Sequence, residues 1–194
     1  MRGLITTVEE TKYDIFLIDY GNKIIAPKNE AKALSPEFRR VPAQVVPLKL
    51  ITVKPVNDQE EWSDEVCQFL KEFIIGQNVR VRPEYKDGIM FGARMKVQDK
   101  PLDKLLSDSG YAVKVDPIIP TNGHTKNQKD HKAIPFSDVS KQIEVECPTM
   151  EEFEAYVTCV VSPRLFYCRL LDDEKEKAVD EVIIFNEFFR FFES

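Results

Sequence analysis

The sequence contains few of the residues that build metal sites. Its 194 residues include two histidines, one tryptophan and four cysteines. The cysteines, no two of which have Cys-X-X-Cys spacing, are Cys67, Cys147, Cys159 and Cys168. Cys159 and Cys168 lie in apolar, strand-like runs, where we expect small buried hydrophobes. His124 and His131 have no adjacent ligand pair in the sequence, so we expect no metal site and no cofactor.

Long apolar runs are also missing. No stretch approaches the roughly 18 uninterrupted apolar residues of a membrane span. The N-terminus lacks the apolar segment of a signal peptide. These absences predict a protein without membrane contact, in a reducing, cytoplasmic compartment.

Positive charge is scarce overall. The net charge is −6, with +2 on residues 1–50 and −7 on residues 146–194. An acidic balance disfavours nucleic-acid backbone binding as the main role, because such binding needs clustered cations. It favours a cationic partner, although a solvated protein face is the commoner origin of an acidic segment.

The first part of the chain has the pattern of a β-meander. Residues 3–8, 13–19 and 23–26 are predicted to be short strands. The stretch DIFLIDYGN ends in a turn, because Gly21 and Asn22 are the residue types most tolerant of positive φ. This local pattern leaves open whether the turn also has a binding role.

The middle of the chain combines a helix with further strands. Five residues form a helical stripe that we expect Ser63 to cap and Gly76 to end: Trp62, Val66, Phe69, Leu70 and Phe73. Strands are predicted at residues 44–46, 79–82, 90–97, 153–161 and 165–171, and a short helix runs from Leu102 towards Gly110. A last helix over residues 179–192 is apolar nearly all round, so it must pack on another element.

Several segments of the sequence resemble one known family. FLIDYGN, LSPEFRRVPAQVVPLKL and WSDEVCQFLKEFIIGQNVRVRPEY are similar to the extended Tudor domain, over residues 2–114. GIMFGARMKVQDKPLDKLLSDSGYAVKV also resembles the closing strands and helix of staphylococcal nuclease. EAYVTCVVSPRLFYCRLLDDEKE, with the helix after it, resembles the opening strands and linking helix of an extended Tudor domain.

The resemblance implies a mixed β/α, mainly β fold. An SH3-like Tudor barrel would be joined by a helix to a staphylococcal-nuclease-like OB-fold subdomain. The implied divisions are a Tudor barrel without its first strand (1–58), a linking helix (59–75), the second part of the nuclease-like subdomain (76–115), a linker (116–145) and the opening strands and helix of a nuclease-like unit (146–194).

The order of these segments differs from that of the family, in which the opening strands precede the barrel. The chain could hold the end of one extended Tudor domain and the start of the next, or one domain in permuted order. In either case we expect residues 153–192 to pair with residues 60–114, within one chain or between two.

The resemblance also implies an arginine-binding site. In the family, aromatic rings enclose a methylated guanidinium through cation–π attraction, and an Asn oxygen accepts an N–H bond. By position, Tyr20 is a ring wall, Asn22 is the hydrogen-bond partner and Asp19 holds the turn by bonding nearby amides. Leu17 and Met1 stand where family members carry rings. Tyr13 shares the strand face of Leu17 and completes the candidate set, but it lies too far away to replace a ring there.

These departures predict weak selection for dimethylarginine and binding of an unmodified or Arg/Gly-rich peptide. Tyr20 and Asn22 could also serve the turn alone.

A nuclease function is disfavoured by the residues at its expected positions. A staphylococcal-type nuclease needs carboxylates for Ca²⁺ and two arginines on the phosphate, but Ala93 stands at one arginine position. Near Arg169, the expected Asp and Glu are replaced by Glu174 and Lys177. The sequence therefore predicts no enzyme.

The alternative is single-stranded RNA binding by the OB-like module, through alternating cations on the strands. The cations are Arg80, Arg82, Lys86, Arg94 and Lys96, with Tyr85 and Phe91 as the nearby rings.

The cellular role rests on the resemblance alone. It implies an adaptor that binds the arginine-rich tail of a Piwi or Argonaute protein and scaffolds piRNA-pathway silencing granules. The implied location is perinuclear germ granules in the cytoplasm, with self-association as a further expectation and with RNA contact unlikely to be direct.

Overall fold

The computed structural model describes residues 1–36, 38–58, 60–117, 119 and 150–171. The strands are β1 (Gly3–Val8), β2 (Lys12–Leu17), β3 (Lys23–Pro27), β4 (Val45–Leu50), β5 (Val53–Pro55), β6 (Asn78–Asp87), β7 (Met90–Val97), β8 (Lys100–Pro101), β9 (Ala112–Lys114), β10 (Phe153–Ser162) and β11 (Leu165–Leu170). The helices are α1 (Asp64–Ile74) and α2 (Leu102–Asp108), and 3-10 turns span Phe38–Arg40 and Val56–Asp58. Neither helix is long and apolar enough to cross a bilayer.

The first three strands form an antiparallel sheet in the order β1-β2-β3. Ile5 lies opposite Ile15, and Ile15 lies opposite Ile24, so three isoleucines form a row across one face. Leu4 and Phe16 pair on the other face and pack towards the second half of the protein. The predicted meander is confirmed, with β2 ending at Leu17 where the turn begins.

A closed barrel follows. Strands β4, β11, β10, β6 and β7 are neighbours in that order, and a parallel pairing of β4 with β7 closes the circle. Along the chain, helix α1 lies between the barrel strands β4 and β6. A five-stranded barrel with one such helix is the arrangement of an OB fold. The barrel interior is filled by apolar side chains from every strand, among them Leu48, Val81, Phe91, Val157 and Phe166.

The last described strands complete this barrel within the same chain. Phe153 of β10 lies opposite Val81 of β6, and Phe166 of β11 lies opposite Leu48 of β4. The pairing of β10 with β6 confirms the predicted contact between residues 153–192 and residues 60–114, whereas β11 pairs with β4, which lies outside the predicted partner range. The predicted helix over residues 179–192 and most of the predicted linker lie outside the described residues.

Helix α1 begins and ends where the sequence predicts. The Ser63 side chain accepts a hydrogen bond from the Val66 backbone N–H at 3.4 Å, and Gly76 adopts a φ of +81° after the last turn.

The buried face of α1 agrees with most of the predicted stripe. It consists of Val66, Leu70 and Ile74. Phe69 is only partly buried and stacks on Phe73, which is 36% exposed. Val66 and Leu70 are thus confirmed in the stripe, whereas Ile74 takes the buried place predicted for Phe73, which stacks on Phe69 at the edge of the core.

Leu70→Ala should lower the free energy of unfolding by about 2–5 kcal/mol, because the Leu70 side chain is wholly enclosed in the barrel core. Urea unfolding of both proteins measures the difference. The matched control is Phe73→Ala, which should cost about 1 kcal/mol or less. An equal loss in the two variants would contradict the difference in burial between Leu70 and Phe73.

Candidate functional site

The candidate site is the turn that joins β2 to β3. The Leu17 carbonyl accepts hydrogen bonds from the N–H groups of Tyr20 (3.2 Å) and Gly21 (2.8 Å), and the Leu17 N–H donates to the Asn22 carbonyl (2.9 Å). Gly21 has a φ of +83°, which glycine adopts without steric cost. The turn therefore has a defined shape set by its own backbone.

Beneath this turn lies a buried ion pair. The Arg2 Nε donates to Asp19 Oδ2 at 2.9 Å, and Arg2 Nη2 donates to Asp19 Oδ1 at 2.6 Å. Both residues are 3% exposed. Two parallel bonds of this kind fix the relative orientation of guanidinium and carboxylate.

The same guanidinium holds the segment that precedes β4. Arg2 Nη1 donates to the carbonyls of Phe38 (3.0 Å) and Val41 (2.5 Å), and Arg2 Nη2 donates to the carbonyl of Pro42 (2.9 Å). With the two bonds to Asp19, these contacts use all five N–H donors of an arginine. Arg2 thus ties β1, the turn and the 38–42 segment together.

The role predicted for Asp19 is corrected by this geometry. Its main partner is Arg2 and not the amides of its own turn, and the one backbone N–H that it accepts belongs to Gln44, at 3.4 Å. No role for Arg2 was predicted from the sequence. The available signal was a lone cation at the start of an otherwise uncharged strand.

Gly21 attaches the turn to the barrel. A Cβ at this position would overlap the ring of Tyr167 in β11. Tyr167 is 2% exposed, and its ring centroid lies 5.8 Å from that of Phe16. Burial raises the pKa of the Tyr167 hydroxyl well above its usual value, so the side chain remains neutral within this contact.

Around Gly21 and Tyr167 a second core joins the sheet to the barrel. Its buried members are Phe16, Ile18, Ala43, Val45, Leu165 and Tyr167. The sequence predicts the strands on both sides of this second core, but it does not predict that they contact each other.

The five predicted site residues fall into different environments. Leu17 and Asp19 are buried beneath the turn, at 4% and 3% exposure. Asn22 is exposed and Tyr20 is partly exposed. Tyr13 lies towards the far end of β2, and the Lys28 Nζ stands 5.4 Å from its ring centroid. The structure therefore brings Tyr20 and Asn22 together at the turn surface, and Leu17 and Asp19 support them from below.

The three arginines among the cations proposed to bind RNA lie close to carboxylates. Arg80 lies within 3.2–3.6 Å of three carboxylates, those of Asp99, Glu152 and Glu154. Glu84 pairs with Arg94 at 2.8 Å and lies 3.7 Å from Arg82. Paired cations on a strand face offer little net charge to a nucleic-acid backbone.

The positions compared with a nuclease carry no matching cluster. Ala93 is fully buried in the barrel. Within the described ranges, no group of three or more His, Cys, Asp or Glu side chains could hold a metal ion. Glu174 and Lys177 lie outside those ranges.

Comparison with known proteins identifies the first part of the chain. Residues 1–52 match the family model of the Tudor domain. The matched residues include strands β1 to β4 and are thus similar to a Tudor domain. The human Tudor domain-containing protein 6 is 23% identical over 115 residues, and the human Tudor domain-containing protein 5 is 33% identical over 84 residues. These alignments cover 57% and 43% of the chain but only 5% and 8% of those relatives.

Two solved extended Tudor domains share the fold of this chain over part of its length. The human TDRD1 extended Tudor domain, in complex with a symmetrically dimethylated peptide, superposes with a TM-score of 0.52 at 21% identity, over 59% of this chain and 58% of that one. The third extended Tudor domain of mouse TDRD1, with a MILI peptide containing dimethylarginine, has a TM-score of 0.52 at 18% identity, over 59% and 62%. The chain therefore has the extended Tudor fold.

Arg2→Met should destabilise the Tudor domain by about 3–5 kcal/mol, because the Asp19 carboxylate would stay buried without its charged partner. Urea unfolding measures this loss. The double variant Arg2→Met/Asp19→Leu should recover part of it, since neither charge is then buried alone.

The matched control is Arg39→Met, an exposed arginine within the same segment that donates one hydrogen bond to the Leu34 carbonyl, with an expected effect of about 0.5 kcal/mol. If Arg2→Met lowered the free energy of unfolding no more than this control does, the ion pair of Arg2 and Asp19 would not be needed to hold the turn.

Proposed function

We propose that this chain is a non-enzymatic Tudor-type adaptor that binds an arginine-containing peptide at the turn formed by residues 19–22. The solved relatives hold dimethylated peptides, one of them with a named dimethylarginine, which supports arginine as the recognised residue.

The main support for the proposal is that two residues of the turn are held by the fold, whereas the side chains of the other two are available at its surface. Asp19 is held by Arg2, and Gly21 is held against Tyr167. Among the described contacts, neither the Tyr20 nor the Asn22 side chain forms a hydrogen bond. A ring and an amide on a rigid support are suited to a planar cation, since the ring face attracts the charge and the amide oxygen accepts an N–H.

The surroundings of Tyr20 favour an arginine with few or no methyl groups. Leu17 is aliphatic and buried, and Met1 is aliphatic and 72% exposed. The Tyr13 ring already faces Lys28. Each absent ring removes about 0.5–1 kcal/mol of cation–π attraction at an exposed site, so methylation gains little here.

The partner that we propose is the Arg/Gly-rich tail of a Piwi or Argonaute protein. The chain would then scaffold piRNA-pathway silencing granules in the perinuclear cytoplasm of germ cells. The similarity to Tudor domain-containing proteins supports this role.

Two synthetic Arg/Gly peptides, one unmodified and one symmetrically dimethylated, test the site by fluorescence anisotropy. We expect both to bind, with dissociation constants within about fivefold of each other. Asn22→Ala should weaken both by about three- to tenfold, because one hydrogen bond is lost.

The matched control is Asn78→Ala, since Asn78 is an exposed asparagine on β6, and its affinity should equal that of the parent. A strong preference for the methylated peptide would contradict the ring-poor site. Equal binding by Asn22→Ala and the parent would place the peptide elsewhere.

A further inference from the structure

The outer side of helix α1 carries a cluster of aromatic rings. The rings of Phe69 and Phe73 stack in parallel, with centroids 5.8 Å apart and an interplanar angle of 3°. Tyr111, which directly precedes β9, adds a third ring, tilted by 44° with its centroid 4.8 Å from that of Phe69. We call these three side chains the ring edge. Phe69 and Tyr111 are partly buried and Phe73 is exposed, so the ring edge borders the barrel core and has one side open to solvent.

Two carboxylates flank the central ring. Residues three and four positions apart are neighbours on a helix, so Glu65 lies one turn before Phe69 and Glu72 nearly one turn after it. Both carboxylates belong to exposed residues. The Tyr111 hydroxyl donates to Glu65 Oε1 at 3.4 Å, and the Gln68 side chain donates to Glu72 Oε1 at 2.7 Å. Each bond engages one oxygen, so among the described contacts the other oxygen of each carboxylate remains for a ligand.

No lysine or arginine of α1 lies beside the ring edge. The helix has one cation, Lys71, two positions after Phe69, and residues at that spacing do not face each other. Lys114 of β9 pairs with Asp103 of α2 at 3.2 Å. The two carboxylates beside the rings are therefore not matched by a cation on the same helix face.

This combination of groups favours a planar cation as the ligand. Ring faces attract a positive charge, and a carboxylate forms two parallel hydrogen bonds with a guanidinium. A guanidinium also stacks on aromatic rings, whereas an ammonium group is compact and more strongly hydrated. Nucleic acid is a poor ligand for the same surface, because its phosphates would lie against Glu65 and Glu72.

The last residues of the chain are a poorer occupant than a separate cationic peptide. Residues 172–194, of which none is described, contain three basic and eight acidic residues, a net charge of 3 − 8 = −5. Glu65 and Glu72 repel a segment of that charge. A peptide rich in arginine has the complementary sign.

We propose that the ring edge, together with Glu65 and Glu72, binds the side chain of an arginine in a partner peptide. The guanidinium stacks on Phe69 and Phe73 and forms hydrogen bonds with the Glu65 carboxylate. This site belongs to the barrel and not to the turn formed by residues 19–22, so it does not depend on the proposed function. A partner with several arginines then has two separate sites on one chain.

Trp62 provides a direct measurement at this site. It is the only tryptophan in the sequence, and it lies three positions before Glu65. It packs against the same core as Phe69 and Tyr111. Titration with an Arg/Gly peptide that contains a single arginine should therefore change the Trp62 emission in a saturable manner. Isothermal titration of the parent protein should give about two peptides per chain.

Glu65→Gln tests the carboxylate. The amide keeps an acceptor for the Tyr111 hydroxyl but removes the charge, so the affinity measured by Trp62 emission should fall by about two- to fivefold. Asp64→Asn is the matched control, because it removes the same charge from the first turn of α1, five positions from Phe69. Its affinity should equal that of the parent.

Phe73→Leu tests the ring. Leucine keeps an apolar side chain but has no π-face, so the affinity should fall by about two- to fivefold. Phe73→Tyr restores the ring and should bind within about twofold of the parent. Equal weakening by the two variants would mean that the ring does not stack on the guanidinium.

The outcomes separate this inference from the proposed function. If Glu65→Gln and Asp64→Asn bind alike, or if a peptide with lysine in place of arginine binds equally well, the guanidinium site is wrong. If one peptide binds per chain, Trp62 emission stays constant and Asn22→Ala weakens binding, the turn site stands and this inference fails. If Glu65→Gln weakens binding and Asn22→Ala does not, this site stands and the proposed function fails. If Arg190→Ala shifts the Trp62 emission and the peptide does not, the chain's own last segment occupies the ring edge and the inference is overturned.

Discussion

The candidate site depends on the contacts that the Arg2 guanidinium makes with Asp19 and with the 38–42 segment. Its five N–H groups meet one carboxylate and three backbone carbonyls, so no donor remains buried without a partner. A buried ion pair contributes little net stability when desolvation is counted. Its value here is geometric, because the planar fork allows one arrangement of the strand, the turn and the loop around it.

A second contact connects this arrangement to the barrel. Gly21 approaches Tyr167 so closely that no side chain fits between them, and Tyr167 belongs to β11, which also pairs with β4 in the barrel wall. The turn is therefore attached to β11, the last described strand of the chain. Truncating the protein before residue 150 would remove two barrel strands, β10 and β11, and with them the packing partner of the turn.

The sequence predicted the features that short-range chemistry determines. Strand alternation located the meander, Ser63 and Gly76 located the ends of α1, and the resemblance supplied the two-part fold. It did not predict the partner of Asp19, since a carboxylate bonds amides or a guanidinium equally well in isolation. It also placed Phe73 in the buried stripe of α1, where the structure has Ile74, because the stacking of Phe69 on Phe73 depends on where the barrel core ends.

The motif Asp-Tyr-Gly-Asn alternates between two roles along the chain. Asp19 and Gly21 point inwards and hold the turn, whereas Tyr20 and Asn22 lie at its surface. The fold alone requires Asp19 and Gly21. Binding of a cation at the turn would require Tyr20 and Asn22 as well. Under the proposed function, ligand selectivity would come from residues outside the motif, and Leu17 and Met1, which provide no ring, would limit what a methyl group on the arginine contributes.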